Sequence, residues 1–379
     1  MFSWRLLFFM VVFRAQKFSA GCSVDGPAAA SSNASLTLLK ADVMNDPMAP
    51  VCLDGTPGAY YHSPGDGAGV DNWLIFIEGG GWCSSAEECK SRATYALGST
   101  NNSLPSMSFG HILSPNANGN PDFCNWNRIY VRYCDGSSFT SGVQGADPRT
   151  NVTYRGAMIF RAIMEDLLAK GMSNAKNAIL SGSSVGGLAV IIHCDRFRSF
   201  LPASARVKCL ADSAYFLHPE NLIGDKLFDT TFEGLVNLQC FFPQYILQTV
   251  ETPLFIVMSS FDLIQIKFNL SPEHESCLLN KNCTLDDELA MIEGLRLDLL
   301  ASLPIASPSS SRGMWITSCM THELTVYSWI APILLKIDGN RTYPQVFGDW
   351  FYDRRATQVI DMSPEAKNCT QYGIHIKQY

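Results

Sequence analysis

Ten residues, SGSSVGGLAV at 181–190, limit the possible fold more than any other stretch of the chain. An apolar run at 178–180 precedes them, and further apolar residues follow as far as position 193. Gly182 and Gly186 flank Ser184 in the pattern G-x-S-x-G, which lets a strand turn sharply into a helix and exposes the serine hydroxyl. The pattern predicts that Ser184 is a nucleophile, and a glycine-rich strand-to-helix turn without chemistry is the alternative.

Strand-like and helix-like segments alternate along most of the chain. We predict strands at 73–77, 127–133, 178–181, 207–211, 253–258 and 314–317, and helices at 154–170, 187–193 and 286–303. This alternation favours an α/β fold, specifically an α/β-hydrolase-like, doubly wound, mostly parallel sheet with lid insertions. The expected domain is 51–379, with insertions near 96–126 and 263–313 of the kind that often cover an active site.

The N-terminus and the cysteine content predict export. An arginine at position 5 precedes the short apolar run 6–13, so we expect 1–21 to be a removed signal peptide and 22–50 a poorly ordered lead-in. The 13 cysteines suit an oxidising compartment, and their odd number leaves at least one without an internal partner. Sequons at positions 33, 101, 151, 269, 282, 340 and 368 agree with a secreted glycoprotein.

A nucleophilic serine needs a histidine base and a carboxylate that orients that base. In α/β-hydrolases the chain order is serine, acid, histidine, with the acid two strands after the nucleophile. Asp262 follows the second predicted strand beyond Ser184, whereas Asp212 ends the first. We therefore predict Asp262 as the acid, and Asp212 is either a second candidate or a structural carboxylate that binds loop amides.

Chain order also selects one histidine out of seven. His322 alone follows the last predicted strand, 314–317, at the distance of a loop, so we predict that it is the base. The others precede the serine, lie in the helix after it, come before the last strand or belong to the C-terminal tail: they are His62, His111, His193, His218, His274 and His375.

Glycines after an early strand fit the remaining requirement of such a site, backbone N–H donors for an oxyanion. The segment EGGGWC, 78–83, follows the strand predicted at 73–77, where hydrolases carry their oxyanion loop. We predict donors at Gly80 and Gly81, and a further donor at the N–H of Val185. A phosphate cradle is the alternative, but the glycine and lysine spacing of nucleotide-binding loops is absent.

Composition and motifs argue against several other classes of protein. The net charge of −7 provides no basic field for nucleic acid. The apolar run 6–13 is too short to span a bilayer. No CxxC pair or HExxH helix supports a metal site, so we expect neither metal nor organic cofactor. The sequence predicts no oligomeric state.

Five long stretches make this chain resemble the plant pectin acetylesterases. The stretches are NWLIFIEGGGWC, NPDFCNWNRIYVRYCDGSSF, MEDLLAKGMSNAKNAILSGSSVGGLA, CFFPQYI and FGDWFYDRR. The resemblance runs from about residue 36 to the C-terminus, and that family shares its hydrolase core with the animal esterase Notum. It implies hydrolysis of O-acetyl esters of pectin (galacturonan) in the cell wall, with Ser184, Asp262 and His322 as triad and Gly80 and Gly81 in the oxyanion hole.

The chain departs from the family pattern at several positions. Ser183 and Glu323 stand where the family usually has cysteine. Val185 stands where it usually has alanine, and Cys124 where it tends to have an aromatic residue. The stretch 236–241 lacks a family cysteine, which leaves Cys240 without its usual partner. These departures leave the disulfide pattern open, whereas the three catalytic positions are kept.

Other functions stay open at this point. One is a Notum-like carboxylesterase that removes a fatty acyl group from a protein, and another is a catalytically lapsed polysaccharide-binding homologue. A glycosidase using Asp349 and Asp353 has no support beyond residue type. A polyanionic substrate would need local basic residues, since the net charge is −7; the candidates are Arg92, Arg132 and Arg155.

Overall fold

A computed structural model describes residues 33–41, 46–217, 241–269, 286–305, 311–327, 329 and 341–369. The expected signal peptide and part of the insertion expected at 263–313 lie outside these residues. The strands are β1 (Asn33–Leu38), β2 (Ala59–Ser63), β3 (Asn72–Ile77), β4 (Ser106–Ser108), β5 (Asn127–Val131), β6 (Asn177–Ser183), β7 (Arg206–Asp212), β8 (Leu254–Ser259), β9 (Arg312–Thr317) and β10 (Gln358–Ile360). The α-helices are α1 (Ala86–Arg92), α2 (Gly156–Ala169), α3 (Val185–Ser199), α4 (Pro243–Ile246), α5 (Leu263–Asn269), α6 (Asp286–Ser302), α7 (Leu324–Tyr327) and α8 (Tyr343–Phe351).

These strands form one sheet in the order β10-β9-β8-β7-β6-β3-β5-β2-β1-β4. All neighbours from β10 to β5 are parallel. The other edge is antiparallel, since β2 pairs with β5 and β1 pairs with β2 and β4. The α/β class with a mostly parallel sheet is confirmed.

The order of the central strands creates a crevice at one edge of the sheet. The chain runs from β3 to its neighbour β5 and then returns to β6 on the other side of β3. The connections that leave the carboxyl ends of β3 and β6 therefore diverge. In open α/β sheets such a topological switch point is where ligands bind. The segment 78–83 follows β3 and Ser184 follows β6, so both predicted parts of the site lie at this crevice.

Strand β3 is buried along its whole length, which explains its continuous apolar sequence. Ile75 and Ile77 belong to the core on the face covered by α2 and α3. Leu74 and Phe76 belong to the core on the opposite face, which includes the aromatic side chains of α8. Helices on both faces fix the central strands, and therefore the positions of the segments that leave their carboxyl ends.

The segment expected as a lead-in differs from the prediction. Residues 33–38 form β1, which pairs with β2 in register Ser35 to His62, and Ala34 is fully buried. The sequence NASLTL carries small polar residues on the exposed face and only a weak apolar alternation, so its strand character depends on the neighbouring strands.

The excursion at 96–126 also has a different role from the expected cover of the site. It contributes β4, which extends the sheet edge beyond β1. Phe123 and Trp126 near its end pack in the aromatic core beside α8. One residue does reach the crevice: a Cβ placed on Gly80 would lie 2.7 Å from Leu97 Cδ2.

Candidate active site

Ser184 lies in a strained turn between β6 and α3. Its backbone angles are φ 56° and ψ −128°, a conformation that side chains rarely adopt and that marks functional turns. The turn requires glycine at 186, because a Cβ there would lie 2.4 Å from the carbonyl oxygen of Ile77. The backbone N–H of Ser184 donates to the carbonyl of Asp212 at 2.8 Å, which ties the turn to β7.

Asp262 and His322 are in direct contact. His322 Nδ1 lies 2.7 Å from Asp262 Oδ2, and both side chains are almost completely buried. The other carboxylate oxygen, Oδ1, accepts the N–H groups of Ile264 at 3.1 Å and Gln265 at 3.0 Å in the first turn of α5. These two bonds orient the carboxylate so that Oδ2 faces the imidazole.

The net pKa shift of His322 is upward. Burial by itself lowers the pKa of this imidazole, because charge is costly in an apolar surrounding. The charge and hydrogen bond of Asp262 act in the opposite direction, with smaller contributions from the Glu323 and Asp212 charges, and together they prevail. A histidine in this setting is stabilised in its protonated form, as a general base must be after it has taken a proton.

The turn at Ser184 and the histidine loop approach each other at Gly79. A Cβ placed on Gly79 would lie 2.5 Å from Glu323 Oε1 and 3.1 Å from Ser184 Cβ. Glu323, directly after His322, has a φ of 60° and is buried. Gly79 therefore leaves room for both side chains. Glu323 stands where the family usually has cysteine, and it brings a carboxylate beside the predicted nucleophile.

Asp212 ties the histidine loop to the serine turn. Its carboxylate accepts the N–H of Leu324 at 3.1 Å, the N–H of Thr325 at 2.6 Å and the hydroxyl of Ser183 at 2.8 Å. Burial raises the pKa of Asp212 to about 6, against the opposing effect of these donors. Its contacts are those of the structural carboxylate that binds loop amides, and Asp262 rather than Asp212 contacts the imidazole.

The glycine loop after β3 has the conformation that its sequence requires. Gly80 has φ 148° and Gly81 φ 69°, values open mainly to glycine. The guanidinium of Arg92, on α1, donates to the carbonyls of Gly80 at 2.6 Å and Gly81 at 3.2 Å. Because Arg92 hydrogen-bonds to these two carbonyl oxygens, the orientation of their peptide groups is fixed.

Val185 occupies the first position of α3, so its N–H has no partner within the helix. Its side chain is fully buried in the core. Its carbonyl accepts the hydroxyl of Ser138 at 2.9 Å, and the same hydroxyl accepts the indole N–H of Trp82 at 2.8 Å. Ser138 thus links the glycine loop to the start of α3, a contact that the sequence does not reveal.

The three arginines expected as cations for a polyanion are engaged within the protein. Arg92 is buried and binds the loop carbonyls. Arg132 pairs with Glu78 at 2.7 Å. Arg155 is buried and donates to the carbonyl of Ala49 at 3.2 Å. Their charges therefore serve the protein's own packing, which is a different role from the one expected.

His193 and His62 make contacts other than with Asp262 and His322. His193 stacks on Phe160 and lies 2.9 Å from the carbonyl of Phe139, and burial lowers its pKa to about 4. His62 stacks on Trp73. Among the described residues, no three His, Cys, Asp or Glu side chains gather closely enough to hold a metal ion.

Four cysteine pairs are bonded in the described part of the chain. They are Cys52–Cys134, Cys83–Cys89, Cys194–Cys209 and Cys319–Cys369. Cys319–Cys369 fastens the segment that leads to His322, and Cys83–Cys89 fastens the end of the glycine loop to α1. The cysteine at 240, expected to lack its usual partner, lies outside the described residues.

Comparison with known proteins assigns the family. The profile described as pectinacetylesterase matches residues 28–239 and 236–370. The chain belongs to the pectin acetylesterase family. Pectin acetylesterase 11 of Arabidopsis thaliana is 39% identical over 347 residues, which cover 84% of this chain and 88% of that protein. Pectin acetylesterase 5 of the same plant is 35% identical over 94% of this chain and 90% of its own length. As a family member, the chain is a carboxylic ester hydrolase.

More distant relatives of this chain are named for their action on a lipidated protein. The mouse palmitoleoyl-protein carboxylesterase Notum is 27% identical, over 75% of this chain and 60% of its own length. The solved structure of the Wnt deacylase Notum from Drosophila superposes with a TM-score of 0.72 at 21% identity, covering 88% of this chain and 97% of that one. This likeness confirms the hydrolase-like fold. No α-helix in the described part of the chain is long and apolar enough to cross a membrane.

Proposed function

We propose that this protein hydrolyses O-acetyl esters of a pectic polysaccharide, with Ser184 as nucleophile, His322 as base and Asp262 as the acid that orients it. The observation that carries the proposal is the 2.7 Å contact between His322 Nδ1 and Asp262 Oδ2. The loop that carries His322 is tied by the Asp212 carboxylate to the strained turn at Ser184. The chain order of Ser184, Asp262 and His322 is that of a hydrolase triad, and the contact between His322 and Asp262 supports the roles of base and acid.

The chemistry follows from the roles of the three side chains. Ser184 Oγ bonds to the acetyl carbonyl carbon while His322 Nε2 takes the hydroxyl proton. The tetrahedral intermediate collapses, and the sugar oxygen leaves with the proton from His322. Water then attacks the acetyl-enzyme, again giving a proton to His322, and acetate departs while Ser184 regains its hydrogen. Asp262 holds the tautomer with hydrogen on Nδ1 and stabilises the transient imidazolium.

Backbone donors stabilise the negative charge on the carbonyl oxygen. We assign them to the N–H groups of Gly80, Gly81 and Val185. Two observations support this assignment. Arg92 donates hydrogen bonds to the carbonyls of Gly80 and Gly81, and Val185 is the first residue of α3, so its N–H has no acceptor within that helix. One such donor contributes about 3–4 kcal/mol to lowering the barrier.

The substrate and the location come from the family. Two relatives named pectin acetylesterase are 39% identical over most of this chain, which supports acetylated pectic polysaccharide as substrate. The four disulfides suit an oxidising compartment such as the cell wall, into which the signal-like N-terminus would direct the protein.

Acetate release from acetylated pectin tests the proposal, with acetylated xylan and a lipidated peptide as competing substrates. We expect the wild-type protein to release acetate fastest from pectin, and Ser184→Ala to fold normally and release none. Equal activity on xylan would refute the choice of pectin. Acetate release by Ser184→Ala at the wild-type rate would refute the mechanism.

Removal of a fatty acyl group from a protein is the second candidate. The Notum fold likeness, with a TM-score of 0.72, favours it, but the identity to Notum is lower and covers less of both proteins. Nitrophenyl esters of acetate and of a long-chain acid separate the two. The acetyl proposal predicts a large preference for acetate, and a preference for the long chain would favour the Notum-like reaction.

A further inference from the structure

A second cavity opens beside the glycine loop, in a part of the structure that the proposed mechanism does not use. Its volume is about 260 Å³, several times the 30 Å³ that one water occupies in the liquid. Cys83, which follows the glycine loop, lines it together with residues 135–137 and 140–141 from the connection after β5. The cavity therefore lies at the same edge of the sheet as Ser184.

The position of the cavity couples it to the proposed site. Cys83 is two residues beyond Gly81, which limits the separation of their Cα atoms to about 7 Å. Ser138, next to the lining residue Ser137, contacts both Trp82 and the carbonyl of Val185. A polymer that places one acetylated unit over Ser184 can thus extend a neighbouring unit toward the cavity.

Two of the hydroxyls that line the cavity have already donated their hydrogen within the protein. Ser84 donates its hydrogen to Glu88 Oε2 at 2.8 Å. Thr140 donates to the carbonyl of Ser137 at 2.6 Å. A hydroxyl has one hydrogen and two lone pairs, so each of these oxygens keeps only acceptor capacity for a ligand.

Asp135 adds a buried carboxylate to the lining. Its Oδ2 is engaged by Ser137 and by the N–H of Phe139 at 2.9 Å. Its Oδ1 is buried and has no hydrogen-bond partner among the described residues. Because Oδ1 is completely buried, it belongs to the wall of the cavity and is out of reach of a ligand in it.

The charges around the cavity disfavour a negatively charged ligand. Asp135 lies in the lining and Glu88 directly behind Ser84. Arg149, an exposed cation of this region, is paired with Asp147 at 3.3 Å, and the guanidinium of Arg92 is engaged by the carbonyls of the glycine loop. The acceptor oxygens of Ser84 and Thr140, set among carboxylates, match a group that donates hydrogen bonds and carries no negative charge.

We infer that this cavity binds an uncharged sugar unit of the substrate, next to the acetylated unit. Hydroxyl groups of that sugar donate hydrogen bonds to hydroxyl oxygens of the cavity lining. The half-buried ring of Tyr154 supplies an apolar wall for the carbon face of a sugar ring. The inference rests on the proposed function and deepens it. In pectin, uncharged units are methyl-esterified galacturonate or neutral sugars, so the enzyme prefers methyl-esterified over de-esterified acetylated chains.

The rim residue Val143 allows a test that spares the proposed catalytic groups. Val143 lines the cavity and is 54% exposed. Val70, 52% exposed, precedes β3 at the opposite edge of the sheet and provides a matched control. Val143→Trp should block the mouth, and Val143→Lys should place a cation there.

The first arm measures kcat/KM on acetylated, methyl-esterified oligogalacturonide and on nitrophenyl acetate, which is too small to span both sites. Val143→Trp should lower the oligosaccharide value about tenfold or more, the effect of losing one or two hydrogen bonds, and leave nitrophenyl acetate unchanged. Val143→Lys should shift the preference toward de-esterified chains. Val70→Trp and Val70→Lys should match wild type. Equal losses on both substrates, or no loss on either, would overturn the inference.

The second arm measures binding without turnover. The ligand is the methyl-esterified oligogalacturonide of the first arm, prepared without acetyl groups. It is titrated calorimetrically into Ser184→Ala protein and into protein that carries both Ser184→Ala and Val143→Trp. Weaker binding with Val143→Trp supports the subsite, whether or not the enzyme deacetylates a polysaccharide. Absence of polysaccharide deacetylation would refute the proposed function and not the subsite. Unchanged binding shows that the cavity holds only water and refutes the subsite.

Discussion

Asp212 accepts a 2.6 Å hydrogen bond from the backbone N–H of Thr325, three residues after His322. The same carboxylate oxygen accepts the hydroxyl of Ser183, the residue before the predicted nucleophile. One buried oxygen atom therefore connects the two loops that must meet for catalysis. The relative position of nucleophile and base depends on a residue that touches neither substrate nor imidazole.

Asp212→Asn should weaken both stability and activity. Each carboxylate oxygen accepts one backbone N–H, so the NH₂ of asparagine must face an N–H donor in either orientation. We expect the free energy of unfolding to fall by about 2–4 kcal/mol and kcat/KM to fall about tenfold or more. Denaturant unfolding and nitrophenyl acetate hydrolysis measure the two effects.

Asp71→Asn is the control for that substitution. Asp71 is partly exposed and pairs with the exposed Lys176, so its loss should change stability by less than about 0.5 kcal/mol. If Asp212→Asn behaved like this control in both assays, Asp212 would not hold the two loops together.

Asp262→Asn should abolish most activity while keeping the local backbone. The asparagine oxygen can still accept the N–H groups of Ile264 and Gln265 at the start of α5. Its NH₂ then donates to His322 Nδ1, which forces the tautomer with hydrogen on Nε2, so this nitrogen can no longer accept the serine proton. We expect kcat to fall about 10³–10⁴-fold with little change in melting temperature. Activity within tenfold of wild type would show that Asp262 is not the orienting acid.

Arg92→Lys should lower kcat rather than raise KM. The guanidinium reaches the carbonyls of Gly80, Gly81, Trp82 and Leu97, and a lysine ammonium cannot span them. Looser peptide groups mean poorer oxyanion donors, so kcat should fall roughly 10–100-fold. Arg161→Lys, on an exposed helical pair with Glu165, is the control. A rise in KM for charged pectin alone would restore Arg92 as a substrate-binding cation.

Acid should inactivate the enzyme before it unfolds. The pKa of His322 is raised, so the neutral base is lost as pH falls through a value above the ordinary 6.5, and kcat/KM should fall there. Stability has the opposite sign: a raised histidine pKa stabilises the fold fully below 6.5, and this contribution is lost as pH rises through the raised value. Asp212 acts in the same sense, because its pKa near 6 exceeds the ordinary 3.8 and the fold gains stability as pH falls between these values.

Parallel pH–rate and pH–melting curves check this prediction. We expect the melting temperature at pH 6 to equal or exceed that at pH 8 while kcat/KM at pH 6 is already reduced. An acid limb of kcat/KM below pH 6, or one that coincides with unfolding, would contradict the raised pKa of His322.

Local sequence predicted the parts of the site that depend on short segments. The strand and helix around Ser184 and the strands before Asp262 and His322 are apolar runs with clear ends, so chain order alone could rank the acid and the base. The glycine pattern of 79–81 likewise reflects positive φ values at two of its residues. These features are local consequences of backbone and burial.

The contacts that hold the site together were beyond such reasoning. Asp212 binds backbone N–H groups more than 110 positions away. The guanidinium of Arg92, at the end of α1, binds carbonyls of the glycine loop. Strand β1 forms only because β2 and β4 supply its partners. In each case the decisive contact is long-range, and a single sequence carries no periodic signal for it.

The most direct test of the catalytic assignment is covalent labelling with a fluorophosphonate, located by peptide mass spectrometry. The reagent reacts with serine only where a neighbouring base removes its proton. We predict one adduct, on Ser184, formed rapidly by wild type and at least about 10³-fold more slowly when His322 is replaced by alanine. An adduct on a different serine, or equal labelling of Ser184 without the imidazole, would contradict the account.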